Sequence, residues 1–485
     1  MADQELNWLS ANEIARLVRT KVVSPVEVLQ SVLAQAARCE PQINAVVQLL
    51  EEEALRQAKN AEQAVMSGCA IGPLHGVPVT IKDLAPMRGL PHRSGSKIHR
   101  DRIASETAPM VTRLADAGAI IFARTTTSEF GWSGISHSPV SGPTHNPWKH
   151  GYNAGASSAG AGAAAAAGYG PLHQGTDGAG SVRMPAHFSG VYGLKPSYGR
   201  IPQYPVSIGD LTSHVGPLTR TVADAALMTQ VMAGPHPWDF TSLESAPADY
   251  QGRLHEQVQG RRIAFSPNLG HAQVDPDVAM LVRRAAEDLA RAAGTQLVEV
   301  TPSWGILGPE IGRFFWSANL AGHADLLDKW QEHLDPGLVA CIRDGSRHGV
   351  SQYQRMRVRK HQYITEIHRF FENFDLLLTP AASVAAFPLP RLQPEHWPQH
   401  DWDWISWAEF SYPFNMSGNP AASVPCGFTD EGLPVGLQIV GRRFDDLGVL
   451  QASALFEKVR PWARNRPPLA SAAACDPMNS RMTGR

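Results

Sequence analysis

Cysteine is scarce and unpatterned in this chain. The five residues, Cys39, Cys69, Cys341, Cys426 and Cys475, are odd in number and include no C-x-x-C spacing. That excludes a disulfide framework and a thiolate zinc site, and points to a reducing, cytoplasmic setting. Net charge is nearly absent too: 43 basic against 45 acidic side chains leave −2, so no field exists to gather nucleic acid or an anionic membrane. Long apolar runs are missing. The longest weakly polar stretch, residues 154–170, is 17 residues of mostly Gly, Ala and Ser, too short and too little hydrophobic to span a bilayer. The first nine residues are acidic and lack an apolar core, so no signal peptide is expected. No H-E-x-x-H or other metal-ligand spacing occurs, and no Gly-Lys-Ser/Thr follows a glycine loop; neither a metal nor a cofactor is expected. Among serine-enzyme signatures, G-x-S-x-G fails at Ala159, and no K-T-G follows the S-x-x-K of Ser94-Gly95-Ser96-Lys97.

What is present is ordinary globular material. With 485 residues, 43% hydrophobic and 18% charged, the chain has room for one very large core or two to three domains of about 150 residues. Ser10-Ala11-Asn12-Glu13 and Ser24-Pro25-Val26-Glu27 both read as capping boxes, so two helices should open an N-terminal helical layer over residues 1–68. Runs 45–50 and 77–81 are β-prone and flank a helix expected over 52–65. A helix over 107–117 leads through Gly118 into a strand over 119–123, and the rhythm recurs at 262–265, 275–293, 296–300 and 376–379. This alternation predicts an α/β layered fold with a mixed sheet. Residues 304–413 break it and collect aromatics, among them Trp304, Trp316, Trp330, Trp397, Trp402, Trp404, Trp407 and Tyr412. Most of these are expected to pack a core, and some to wall a pocket. The composition of 466–485 suggests a disordered tail, and no internal repeat of about 20 to 50 residues occurs.

Two stretches, Gly155-Ala156-Ser157-Ser158-Ala159-Gly160 and Gly175-Thr176-Asp177-Gly178-Ala179-Gly180-Ser181-Val182-Arg183-Met184-Pro185, set Ser157 and Ser181 on small-residue turns 24 positions apart. Small neighbours let an electrophilic carbonyl lie against bare backbone N–H groups. A serine hydroxyl then needs a base. No motif delivers a histidine; His173, eight residues before Ser181 in an expected turn, reads better as a packed or solvated side chain. Lys82 ends the apolar run 77–81, and near the core desolvation would lower its pKa while Asp83 beside it would oppose the shift. Taken alone, a lysine at a strand end is more often a surface residue.

These residues resemble the amidase signature family of serine hydrolases, over nearly the whole chain. Residues 155–162 are similar to the family's Gly-Gly-Ser-Ser-Gly-Gly loop, and 175–199 to its Gly-Thr-Asp-x-Gly-Gly-Ser-Ile-Arg-x-Pro-Ala run ending in Gly-Leu-Lys-Pro. Stretches 72–83, 142–148, 413–420 and 432–440 follow the family as well. The resemblance implies Ser181 as nucleophile, Ser157 as a bridging serine on a cis peptide and Lys82 as base. It implies an oxyanion hole from the backbone around Gly178, Ala179, Gly180 and Ser181, with Ser158, Asp177 and Arg183 holding the two loops. It further implies a mixed, twisted sheet covered by helices on both faces, with a catalytic domain over 69–465 in which 304–413 is the variable pocket region. Ala156, Ala159 and Ala179 stand where the family carries glycine, which a methyl group tolerates only at negative φ. Ser189 replaces a frequent cysteine, and Arg124-Thr125-Thr126 the commoner Lys-Thr-Asn.

The implied activity is that of a free-standing amidase that cleaves carboxylic amides through an acyl-enzyme, with esters, anilides and carbamates within reach of the same chemistry. The aromatic segment, with Gly131, Trp132 and Trp316, favours a small substrate with an apolar or aryl group. A monomer or homodimer is expected, with no nucleic-acid or membrane partner. Two other readings are carried. One is the transamidating chain of a glutamine-dependent tRNA amidotransferase, whose Arg-Tyr-Asp-Gly-type stretch is replaced here by Ala321-Gly322-His323-Ala324. The other is a catalytically inert binding relative, which needs an unreactive Ser181.

Overall fold

The computed structural model describes residues 5–207, 209, 211–256 and 258–469. Of the expected tail 466–485, residues 470–485 lie outside the described residues. Arg466 pairs with Glu5 and lies 4.4 Å from the centre of the Trp8 ring.

The strands in chain order are β1 (Val46–Leu49), β2 (Pro78–Lys82), β3 (Ile120–Thr125), β4 (His137–Ser138), β5 (Gly142–Pro143), β6 (Leu172–Asp177), β7 (Tyr192–Lys195), β8 (His214–Thr219), β9 (Ile263–Phe265), β10 (Leu297–Glu299), β11 (Leu376–Pro380), β12 (Ala421–Phe428) and β13 (Pro434–Gly441). β4 and β5 pair with each other, and the other eleven form one sheet in the order β1-β3-β2-β6-β8-β7-β12-β13-β11-β9-β10. The sheet is mixed: β2 runs parallel to both β3 and β6, whereas β8 is antiparallel to β6 and β7.

Its inner strands are buried on both faces, so their side chains divide between two cores. Ile263 and Phe265 enter a cluster with Val278, Val282 and Leu289 of the helix Pro276–Ala292 and with Val449 of the helix Asp446–Val459. Ala264 between them enters another, with Phe315 of the helix Gly308–Leu320 and Tyr363 of the helix Val350–Asn373. The opening helices begin where their caps demand. Ser10 Oγ accepts from Glu13 N at 3.1 Å, and at the helix Pro25–Ile43 the Ser24 and Glu27 pair forms a full capping box. The helix expected over 52–65 spans Glu51–Met66.

His173 is a correction. It lies within β6, not in a turn, because pairing with β2 on one side and β8 on the other outweighs the turn signal of the neighbouring glycines. Its Nδ1 is 2.9 Å from Thr80 Oγ1, and burial pushes its pKa down to about 3. It is a packed, neutral histidine.

The helix Ala159–Ala166, sequence AGAGAAAA, is buried on every side. The segment is small because its neighbours are backbone: a Cβ on Gly160 would stand 2.1 Å from Ala45 O. This helix runs into β6, and the short helix Arg183–Ser189 follows β6. Both serine-bearing turns are thereby brought to one end of β6, beside the end of β2 that carries Lys82.

Candidate active site

Lys82 is fully buried at the last position of β2. Its Nζ lies within hydrogen-bond distance of three hydroxyls, Ser157 Oγ at 2.8 Å, Ser158 Oγ at 2.9 Å and Thr176 Oγ1 at 2.8 Å. These partners are 75 to 94 residues away in sequence, and only the parallel pairing of β2 with β6 brings them together. Burial drives the lysine pKa well below its ordinary value, and the Asp177 carboxylate is the opposing charge. Asp83, expected in that role, pairs instead with the buried Arg124 at 2.9 Å.

Ser157 follows a cis peptide bond from Ala156. The two serine turns touch directly, Ser158 N donating to Ser181 O at 3.2 Å. Ser158 Oγ donates to Thr176 O at 3.1 Å and accepts from Thr176 N at 3.2 Å, so its own hydrogen is already committed. Ala156, Ala159 and Ala179 are not among the residues with positive φ, so their methyl groups are accommodated. Gly180 has φ +114°, and a Cβ there would stand 2.6 Å from Ser411 Oγ; the glycine is required twice over.

The turn before Ser181 is built on Asp177. Its carboxylate accepts from Gly180 N at 2.7 Å and from Arg183 Nε and Nη2 at 2.9 and 2.8 Å. Arg183, also fully buried, continues to Ser411 O and Gln438 Oε1 at 3.0 and 2.8 Å, and Asn415 Nδ2 donates to Asp177 O at 2.8 Å. The Arg183 guanidinium thus holds the Asp177 carboxyl far below the usual carboxylate range in spite of burial. Gly180 N–H is engaged and cannot turn to a substrate oxygen. Among the described residues, the N–H groups of Gly178, Ala179 and Ser181 make no hydrogen bond to protein. Breaking a buried ion pair by removing one partner costs about 3–5 kcal/mol. Arg183→Met is therefore expected to lower the unfolding free energy by about that amount in urea titrations.

Ser157 and Ser181 line one cavity of about 290 Å³, together with Thr176, Gly178 and the three pocket residues expected from sequence, Gly131, Trp132 and Trp316. Gly131 has φ +74°, and a Cβ on it would meet Ser157 Oγ at 3.2 Å. Phe130 before it also has a positive φ, 51°, and stacks on His323 with ring centres 4.8 Å apart. Most of the other tryptophans pack. Trp404 and Trp407 are wholly buried in the cluster that includes Trp132, and Trp304 lies in the core with Tyr363. Sequence reading missed Thr176, Ser411, Asn415 and Gln438, and the residues Asn319, Leu320 and His323 that continue the wall from the expected Trp316. Asn319 and Leu320 had a signal, since spacings of 3 and 4 from Trp316 place them on one face of the helix Gly308–Leu320, whereas His323 lies in the 3-10 turns that follow it.

A buried lysine among hydroxyls, paired serines and free backbone amides beside an apolar cavity thus stand together on a mixed α/β sheet, the setting of a hydrolase. The Amidase family model matches residues 27–450, and the chain belongs to the amidase family as an amide-hydrolysing enzyme. It is similar to an acylamidase of Rhodococcus erythropolis, 41% identical over 479 residues, covering 96% of this chain and 98% of that one. Similarity to the A chain of the glutamyl-tRNA(Gln) amidotransferase of Chloroflexus aggregans is lower, 32% over 497 residues, covering 96% and 100%. Among solved structures, a bacterial aryl acylamidase of the amidase signature family superposes with a TM-score of 0.87 at 30% identity, covering 94% of this chain and 97% of that one.

Proposed function

We propose that this enzyme hydrolyses carboxylic amides with an apolar or aryl group through an acyl-enzyme on Ser181, and that Ser157 relays the proton to Lys82. The observation that carries the reading is the Lys82 Nζ, buried amid three hydroxyls beneath the cavity that Ser157 and Ser181 line. A neutral amine has two N–H groups and one lone pair. Ser158 Oγ has already given its hydrogen to Thr176 O, so it accepts from Nζ. With Thr176 accepting the second N–H, the lone pair faces the Ser157 hydroxyl. That is the polarity a base needs.

In the reaction Ser181 Oγ attacks the carbonyl carbon, its proton passes to Ser157 Oγ, and the Ser157 proton passes to Lys82 Nζ. The developing oxyanion meets the N–H groups of Gly178, Ala179 and Ser181. Collapse breaks the C–N bond, and the amine takes its proton back along the same path. Water then cleaves the Ser181 ester with the same base, releasing the carboxylic acid. Esters, anilides and carbamates fit the same steps, and the walls of Leu84, Met110, Phe130, Trp132 and Trp316 reward apolar area.

Rapid mixing with 4-nitrophenyl acetate tests the acyl-enzyme. A burst of 4-nitrophenol equal to the enzyme concentration, with the acetyl group mapped by mass spectrometry to Ser181, is expected. Acetyl on any other side chain overturns the assignment. Activity that requires glutamine and added partner chains would move the enzyme to the amidotransferase reading.

Thr176→Val keeps the shape of the side chain and removes one acceptor from Nζ. It is expected to lower kcat/KM by roughly ten- to a hundredfold, the worth of a hydrogen bond to a group that becomes charged. Thr176→Ser should restore most of that loss in steady-state assays.

A further inference from the structure

Among the described residues, the cavity above the two serines is lined by one formally charged side chain, Arg102, and by no carboxylate. Arg102 is held in place by its backbone: its N donates to His99 O at 3.1 Å and its carbonyl accepts from His92 N at 2.8 Å, beside the antiparallel bridge between Pro91 and Ile103. The guanidinium itself is exposed and, among the described residues, has neither an ion-pair partner nor a hydrogen-bond acceptor. The imidazoles of His92, His99 and His323 share the wall. Burial lowers the pKa of each, with positive neighbours adding to the effect at His92 and His99, so they are neutral at neutral pH and leave Arg102 as the one charge among the described lining residues. An apolar chamber with buried serines and one unpaired cation on its wall is complementary to a molecule that is apolar near the reacting carbonyl and anionic farther away.

We infer that Arg102 is a specificity determinant that selects amides bearing a carboxylate remote from the scissile bond. This deepens the proposed amide hydrolysis and rests on it. A forked guanidinium receives a carboxylate through two parallel hydrogen bonds. The same charge, near a low-dielectric wall, raises the encounter rate of anionic substrates, so their kcat/KM should fall with added salt while that of neutral ones holds.

Two matched pairs test the inference. One compares N-(4-nitrophenyl)glutaramic acid with N-(4-nitrophenyl)pentanamide, and places the carboxylate on the acyl side. The other compares 4-acetamidobenzoate with acetanilide, and places it on the amine side. In at least one pair the acid is expected to exceed its neutral partner in kcat/KM by about tenfold, the lower end for a hydrogen bond to a charged group. Arg102→Gln should bring that ratio near unity, and Arg102→Glu should invert it. Ratios near unity in both pairs for the native enzyme, or a preference that Arg102→Gln leaves in place, overturn the inference. The same pairs titrated onto the Ser181→Ala protein report binding without turnover. A preserved acid preference there, with no cleavage by the native enzyme, overturns the acyl-enzyme reading and leaves the role of Arg102 standing; equal affinities overturn the role of Arg102.

Discussion

Ser181→Ala is expected to abolish turnover, with a loss in kcat of about a millionfold, the scale seen when a serine nucleophile is removed from a hydrolase. The same protein should take up no label from a fluorophosphonate. Ser157 also lines the cavity, but its hydroxyl lies 2.8 Å from Lys82 Nζ, the position of the proposed relay. Ser158 has spent its hydrogen on Thr176 O and is fully buried. With those hydroxyls committed, neither is expected to replace Ser181 as the proposed nucleophile. Label retained by the Ser181→Ala protein would place the nucleophile elsewhere. Because Ser181 contributes little buried volume and no ion pair, the variant should unfold at the native urea midpoint, which separates lost chemistry from lost fold.

Removing the base is expected to cost about 10²- to 10⁴-fold, and Lys82→Arg should be as inactive as Lys82→Ala. Only a neutral group accepts the Ser157 proton, and a guanidinium stays protonated. In the native enzyme, burial disfavours the Lys82 ammonium more than the Asp177 carboxylate favours it, so the pKa falls well below the ordinary lysine value. Below that lowered pKa the lysine is charged and cannot act; above it the lysine is neutral. The sign follows: kcat/KM rises with pH through the free enzyme's lysine pKa and then levels, at a pH well under that of an exposed lysine. An active Lys82→Arg enzyme, measured with a neutral 4-nitroanilide, would remove Lys82 from the proton path.

Local signals were legible where the physics is local. The serine and proline at residues 24 and 25 announced the helix Pro25–Ile43, since a cap and a fixed φ act within one turn. The apolar run ending at Lys82 announced β2, and the glycines and alanines around Ser157 and Ser181 announced two tight turns. His173 was misread because strand pairing with residues far away in sequence outweighs the turn preference of nearby glycines. Asp83 was misassigned for a related reason. Nearness along the chain does not mean nearness of charge in space: Asp83, just past β2, pairs with Arg124 on β3.

The sequence by itself determined the inventory: a lysine at a strand end, two serines on small-residue turns, a chain with no strong net charge and the caps that begin its helices. Tertiary structure alone decided what those residues do to one another. The sheet order set β2 beside β6, and only then did Lys82 meet Ser157, Ser158 and Thr176 out of water, where desolvation lowers the pKa of an ordinary ammonium. The same packing spent the Gly180 N–H on Asp177 while leaving its neighbours free, and carried Arg102 and one face of the helix Gly308–Leu320 to the walls of a common cavity. Caps and turns are settled over a few bonds, whereas burial, pKa and cavity walls depend on which distant segments the sheet brings together.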